Sequence, residues 1–434
     1  MRQIKIGIIG FGTVGSGIYE VLTTNRELIS SRVGTDVDVK RIADLDTHSD
    51  RGISVDRELF TVNAMDVIDD PEIDIVVELI GGLDKAREYI LKAMERGKDV
   101  VTANKALLAE HGNEIYQAAE HYGVSLAFEA SVGGGIPIIG ALRCGLSANH
   151  IQTIMGILNG TSNYILTMMT KKGLSYSQAV QEAVNLGIAE SPPTLDVDGT
   201  DAAHKLTILT SIVFGYPVSF RDIYKTGIDE LTPDDIRFAD EFGYSIKLLA
   251  IARNLGDHLD ARVHPTMIPK DHILANVNGA YNAIYLEGDF LGPNLYYGLG
   301  AGKKPTGSAV VSDIMDLARK VRLGQKGPIP ALAYVSSPER EIEIQPIEEL
   351  TCGYYLRVSA LDSPGVLSKI AGILGENDIS IYSVIQEGRD IKGSVPVVML
   401  THEARERNVK KAISLMDKLD IILDKTVMIR VENN

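Results

Sequence analysis

Short apolar runs alternate with amphipathic stretches through the first third of the chain. Ile4, Ile6, Ile8 and Ile9 lie close together and predict a buried strand. The stretches 36–43, 73–79, 98–102 and 125–128 read the same way. Between them, 85–96 and 106–121 repeat apolar positions at helical spacing. Strand–helix alternation of this kind predicts a doubly wound α/β domain, a parallel sheet with helices on both faces. Ligands in such sheets sit beyond the carboxyl ends of the strands. Weight therefore falls on Gly10-Phe11-Gly12-Thr13-Val14-Gly15, Asp44, Gly81, Asn104, Lys105 and 129–135.

Beyond residue 135 the pattern becomes α+β. Strand-like pieces at 153–158 and 261–267 mix with helices. Ser175 and Gln178 form a capping box before Val180, Ala183 and Val184, and that helix stops at Gly187. Residues 200–214 predict another helix. Glycines 298, 300, 302 and 307 precede a helix at 310–323, expected to return to the first domain. Gly/Pro punctuation and alternating charge predict a linker over 324–350. The pattern then restarts as strand–helix–strand–strand–helix–strand over 351–434, a ferredoxin-like unit. The expected domains are 1–134, 135–323 and 351–434.

The glycine motif follows a predicted strand and opens a predicted helix, the context a dinucleotide fingerprint requires. Its glycines serve a tight turn, close approach of a pyrophosphate, and helix–strand packing. The 434 residues are 45% hydrophobic and 23% charged, as expected of a soluble protein. A net charge of −15 argues against nucleic acid and anionic membranes as partners. Two distant cysteines, Cys144 and Cys352, fit a reducing, cytoplasmic compartment. The N-terminal residues read as a strand rather than a signal peptide, and no apolar run is long enough to span a bilayer.

Lys105 opens a helix, where a cation opposes the helix dipole. A solvated side chain is the plain reading; a negative partner in the cleft is the functional one. Asp201 and Lys205 share a helix face at four-residue spacing, either as a surface pair or as a site. The loop before them carries Glu190, Asp196 and Asp198. Carboxylates clustered near a lysine suit an amino-group substrate, the acids holding its ammonium and the lysine moving a proton. Glu129 ends a strand expected to be buried, so it needs a partner: a hard cation, a lysine or a hydrogen-bond network. The nine histidines show no metal-ligand spacing, and His204 points away from the Lys205 face.

Taken together, these motifs resemble the homoserine dehydrogenases that carry a C-terminal ACT domain. The most specific stretches are 183–205, Thr102-Ala103-Asn104-Lys105 and 129–137. The resemblance implies a Rossmann-like domain over 1–134, a catalytic and dimerisation domain over 135–323 and an ACT regulatory domain over 351–434. It implies reversible NADPH- or NADH-dependent reduction of aspartate 4-semialdehyde to L-homoserine, serving threonine, methionine and isoleucine synthesis. Lys205 would be the proton donor, and Lys105 would contact both cofactor and substrate. Glu190, Asp201 and Asp196 would hold the substrate, with Gly187 and Gly302 as additional cofactor contacts. Glu129 with the carbonyls of Val132, Gly134 and Ile136 would hold a monovalent cation, sodium. The resemblance further implies a homodimer or higher homo-oligomer and an amino-acid effector, threonine, at the ACT domain. One departure is Pro192-Pro193, where the family usually has Asp-Pro. For cofactor preference, Asp44 or Asp46 would favour NAD, while Arg41, Arg51 or Arg57 would favour NADP. The competing readings are a nicotinamide-binding sensor without turnover and another amino-acid-linked dehydrogenase.

Overall fold

Isoleucines and valines with both faces covered make the first sheet. In the computed structural model, which describes residues 3–325, 330–335, 343–386 and 394–433, six parallel strands stand in the order β3-β2-β1-β4-β5-β6. These are β1 (Ile4–Ile9), β2 (Val37–Ala43), β3 (Phe60–Thr61), β4 (Ile75–Glu78), β5 (Asp99–Thr102) and β6 (Leu126–Ala127). The order reverses between β1 and β4, and this doubly wound arrangement opens a crevice at the carboxyl end of β1. Helices α1 (Thr13–Thr24), α2 (Arg26–Val33), α3 (Met65–Ile68), α4 (Asp84–Glu95) and α5 (Lys105–Tyr122) connect the strands. The sequence pattern did not anticipate the two-residue β3 or a separate α2, because both are too short for their periodicity to register.

The chain separates into two compact units, the first made of Met1–Gly160, Asp201–Ile223 and Tyr281–Glu341. The 135–323 stretch therefore contributes to both. Within the first unit, the long helix Lys303–Arg322 lies against α1, and Val310, Ile314, Leu317 and Ala318 join Ile8, Ile18 and Leu22 in one core. It begins earlier than its apolar pattern suggested, because Lys303 to Gly307 already runs helically. The approach is close: a Cβ on Gly307 would stand 2.9 Å from the Gly17 carbonyl carbon. Lys320 on the same helix is buried and donates to Asp99 at 3.0 Å and to Ser125 at 2.7 Å. The unit also contains an antiparallel ribbon of Ile151–Ile157, Tyr281–Gly288 and Gly292–Leu299. The helix Thr200–Phe214 is buried along nearly its whole length, and its polar residues, Asp201 and Lys205 among them, are buried with it.

The second unit comprises Thr161–Thr200, Tyr224–Ala280 and Ile342–Asn434. The expected capping box is present, with Ser175 accepting from Gln178 at the start of Tyr176–Asn185. Tyr244–Asn254 pairs antiparallel with His258–Pro269. The C-terminal region has the expected strand–helix–strand–strand–helix–strand order, with a sheet of Val427–Val431, Thr351–Leu361, Ser394–Thr401 and Ile381–Gln386. Val366–Glu376 and Glu406–Met416 cover it through Ile370, Leu374, Val409 and Met416. Its last strand also pairs in parallel with His258–Pro269, through Thr266–Arg430 and Met267–Val431. The 324–350 linker lies partly outside the described residues. In its described part, Tyr334 donates to the Val213 carbonyl at 2.8 Å.

Removing one partner of a buried pair leaves an uncompensated charge. Asp99→Ala, which strands the Lys320 ammonium, is expected to cost about 3–5 kcal/mol of stability, read as a lower urea unfolding midpoint than wild type.

Candidate active site

Each glycine after β1 has its own steric reason. Gly10 adopts φ +99°, and a Cβ there would lie 2.7 Å from the Leu79 carbonyl carbon. A Cβ on Gly15 would lie 2.5 Å from the Gly10 oxygen, whereas one on Gly12 would meet nothing within 4 Å. The first and third glycines thus serve the turn and the packing, and the second leaves an open approach. No side chain caps the N-terminus of α1, so its first-turn N–H groups suit a phosphate. Thr13 is exposed and Val14 half-buried, while the Phe11 ring is buried and only its backbone lines the turn. The Phe11 N–H donates to Asp44 at 2.5 Å, and its carbonyl accepts from Arg51 Nε at 3.0 Å. Arg51 also pairs with Asp46 at 3.0 Å. Arg57 donates to the Thr47 carbonyl.

Within the same unit, the Thr200–Phe214 helix brings Asp201 and Lys205 together in the interior, each 7% exposed. Lys205 Nζ donates to Asp201 Oδ2 at 2.6 Å and to the Leu158 carbonyl at 2.6 Å. Asp201 also accepts from Asn159 Nδ2 at 2.8 Å, and its other oxygen is 3.1 Å from Lys105 Nζ. The spacing of Asp201 and Lys205 allowed a surface pair; burial excludes that reading. Burial by itself would raise the Asp201 carboxyl. The charges of Lys205 and Lys105, with hydrogen bonds from Lys205 and Asn159, instead hold it well below the usual carboxylate range. Two cations converge on one anion, an arrangement that can stabilise a developing oxyanion and supply a proton.

Three family models cover most of the chain: the NAD-binding domain of homoserine dehydrogenase over residues 10–129, homoserine dehydrogenase over 137–315, and the ACT domain over 354–420. A homoserine dehydrogenase of Pseudomonas aeruginosa is 47% identical, with 100% of this chain and 99% of that protein aligned. The chain belongs to the homoserine dehydrogenase family. It is an NAD(P)-dependent oxidoreductase with a C-terminal ACT domain. A homoserine dehydrogenase crystal structure from Thiobacillus denitrificans superposes with a TM-score of 0.92 at 46% identity, covering 100% of this chain and 99% of that one. A hyperthermophilic archaeal homoserine dehydrogenase solved with NADPH gives a TM-score of 0.63 at 27% identity, over 75% of this chain and 99% of its own.

The other residues singled out in the sequence fall at several places. Gly187 (φ +69°) and Glu190 lie on one loop of the second unit, which leads into the short helix Thr194–Val197 that carries Asp196. That loop is anchored there by Ile228 N–H on the Val197 carbonyl at 2.9 Å, and Asp198 caps Thr200 N–H at 2.8 Å. Gly302 (φ +125°) is the N-cap of Lys303–Arg322. Glu129 begins a short turn one residue past Phe128 rather than ending β6, and it is buried. Its two oxygens accept the N–H groups of Ile139 and Gly140 at 2.8 and 2.6 Å. Among the three partners considered for it, the carboxylate has a hydrogen-bond network; burial still raises its pKa. Val132, Gly134 and Ile136 follow in the same turn. His204 lies against Phe220 with ring centroids 4.4 Å apart and ring planes tilted by 44°.

Asn159 and the Leu158 carbonyl escaped the sequence reading. They directly follow the strand Ile151–Ile157, the same post-strand signal that singled out Lys105, but it was applied only to the first domain. Glu78 was also missed, and Thr102 was named only as part of the stretch Thr102-Ala103-Asn104-Lys105. Thr102 donates to buried Glu78 at 2.7 Å and accepts Asn104 N–H at 3.0 Å. Asn104 in turn caps α5 through Leu107 N–H at 3.1 Å and donates to the Gly82 carbonyl at 2.7 Å. This chain of bonds fixes the turn that presents Lys105.

A carboxyl whose folded pKa lies below its unfolded value stabilises the fold above about pH 4, and that contribution is lost as pH falls further. Asp201→Asn is therefore expected to weaken the dependence of Tm on pH between about pH 5 and 2 relative to wild type, measured by thermal melts across that range.

Proposed function

We propose that the protein interconverts L-aspartate 4-semialdehyde and L-homoserine with NADP(H), and that Lys205 carries the proton. The observation that supports this most directly is the buried Lys205–Asp201 pair with Lys105 against the same carboxylate. The glycine turn, the uncapped start of α1 and Gly302 would hold the dinucleotide. Arg51, in the loop after β2 and docked on the Phe11 carbonyl, would meet a 2′-phosphate, and Asp44 is already engaged by the turn itself. When bound, the reduced nicotinamide supplies a hydride to the aldehyde carbon. The carbonyl electron pair then settles on oxygen, and Lys205 gives that oxygen one proton, becoming a neutral amine as the alcohol forms. In oxidation the amine takes the hydroxyl proton back. Lys105 adds positive charge beside the oxygen, while Asp201 aims both lysines. By the family resemblance, Glu190, Asp196 and Asp201 would each contribute a carboxylate to holding the substrate.

Glu129 with the carbonyls of Val132, Gly134 and Ile136 supplies hard oxygen donors suited to sodium, as a brace for the turn. The protein is expected to work as a homodimer in the cytoplasm. The ACT domain is the place for an amino-acid effector, threonine, which would lower activity.

Lys205→Ala is expected to lower kcat by about 10²–10⁴ while leaving cofactor affinity near wild type. The assay is semialdehyde-dependent loss of NADPH and, separately, NADH; near wild-type turnover in the variant would end the assignment, and a preference for NADH would end that of Arg51. Threonine titrated into the full-length protein by calorimetry should release or absorb heat saturably and inhibit in the same concentration range. Inhibition without binding, or binding without inhibition, would contradict the effector reading.

A further inference from the structure

The Leu158 carbonyl that receives Lys205 has a second donor. Asn282 is fully buried in the strand Tyr281–Gly288, and its Nδ2 donates to the same oxygen at 2.8 Å. One carbonyl oxygen has two lone pairs, and here both are used. The other end of this amide, Oδ1, meets no donor among the described residues. A buried amide satisfied at one end only costs stability, and an apolar side chain of the same shape would not incur that cost. Its surroundings are built tightly around it. A Cβ on Gly300 would collide with the Asn282 amide, and a Cβ on Gly134 would lie 2.5 Å from the Gly300 carbonyl carbon. The amide is thus clamped between the Leu158 carbonyl and the loop that leads to Gly302.

We propose that Asn282 is a positioning residue for the proton transfer: sharing the Leu158 carbonyl with Lys205, it fixes the direction of that acceptor and so the aim of the lysine ammonium. The proposal rests on the reading of Lys205 as proton carrier. Leu158 is followed by Asn159, which holds Asp201, so the same short segment sets both partners of Lys205. With Asn282 absent, the carbonyl is free to tilt toward the ammonium alone and to draw it away from the substrate oxygen. The effect belongs to the chemical step rather than to binding, because the glycine turn and the carboxylate loop are untouched and a side chain of the same shape still fills the space against Gly300.

Asn282→Leu keeps the shape and removes the donor. The expected result is a kcat for semialdehyde reduction lowered about tenfold, equivalent to about 1.4 kcal/mol, with KM for substrate and cofactor changed less than about twofold. The solvent deuterium isotope effect on kcat should rise as proton transfer becomes more nearly rate-limiting, and Tm should hold or increase. Unchanged kcat would overturn the proposal. So would a loss of activity accompanied by a Tm drop of more than about 4 °C and weakened cofactor binding, which would make Asn282 a packing residue. Asn282→Ala, measured in the same way, serves if the leucine variant does not fold. A normal kcat in Lys205→Ala would instead sink the underlying functional reading, whatever Asn282 does.

Discussion

One buried carboxylate shared by two ammonium groups, Lys205 buried beside it and Lys105 reaching it from a part-exposed position, is the constraint on which the proposed active centre depends. Lys105, Asp201 and Lys205 together carry a net charge of +1. An unpaired buried charge is expensive, so Asp201 must be ionised and held, and both lysines must be aimed at it. In the proposed reaction, which places negative charge on an oxygen, that surplus positive charge would be matched. Stability and chemistry make the same demand of these side chains: the carboxylate that permits lysine burial is also the one that orients it.

Several distant segments meet to satisfy that demand within the first unit. Lys105 stands where β5 gives way to α5, held by the Glu78–Thr102–Asn104 chain of hydrogen bonds. Asp201 and Lys205 come from a helix buried along nearly its whole length, polar positions included. Leu158 and Asn159 come from the end of an edge-to-edge ribbon. The Lys303–Arg322 helix closes over α1 and uses Lys320 to tie itself to Asp99 and Ser125. Apart from part-exposed Lys105, the charged groups here are buried, and all of them are paired, so a shift in one disturbs the others.

The ACT region is joined to the middle of the chain more firmly than a flexible linker would suggest. Its last strand pairs with His258–Pro269, and charged side chains are buried along that seam. Arg262 pairs with Glu432, and Arg430 pairs with Glu406 at 2.5 Å. Arg357 meets Asp235, which is fully buried, at 2.7 Å. Parallel pairing plus paired charges fixes register, because a slip by one residue would turn each charge toward the wrong face.

The parts of this protein legible in the sequence are those set by local rules. The glycine turn, the strand–helix alternation, the capping box at Ser175 and the four-residue spacing of Asp201 and Lys205 each depend on neighbours along the chain. The order of the C-terminal unit was legible for the same reason. What folding alone decided is which distant groups share an atom. Lys205 meets Leu158 across 47 residues, Asn282 meets it across 124, and Lys320 meets Asp99 across 221. Nor could spacing say whether the Asp201–Lys205 pair faced water or the interior. Periodicity reports only which side of an element is apolar; burial of charge and the sharing of one carbonyl are properties of the packed whole.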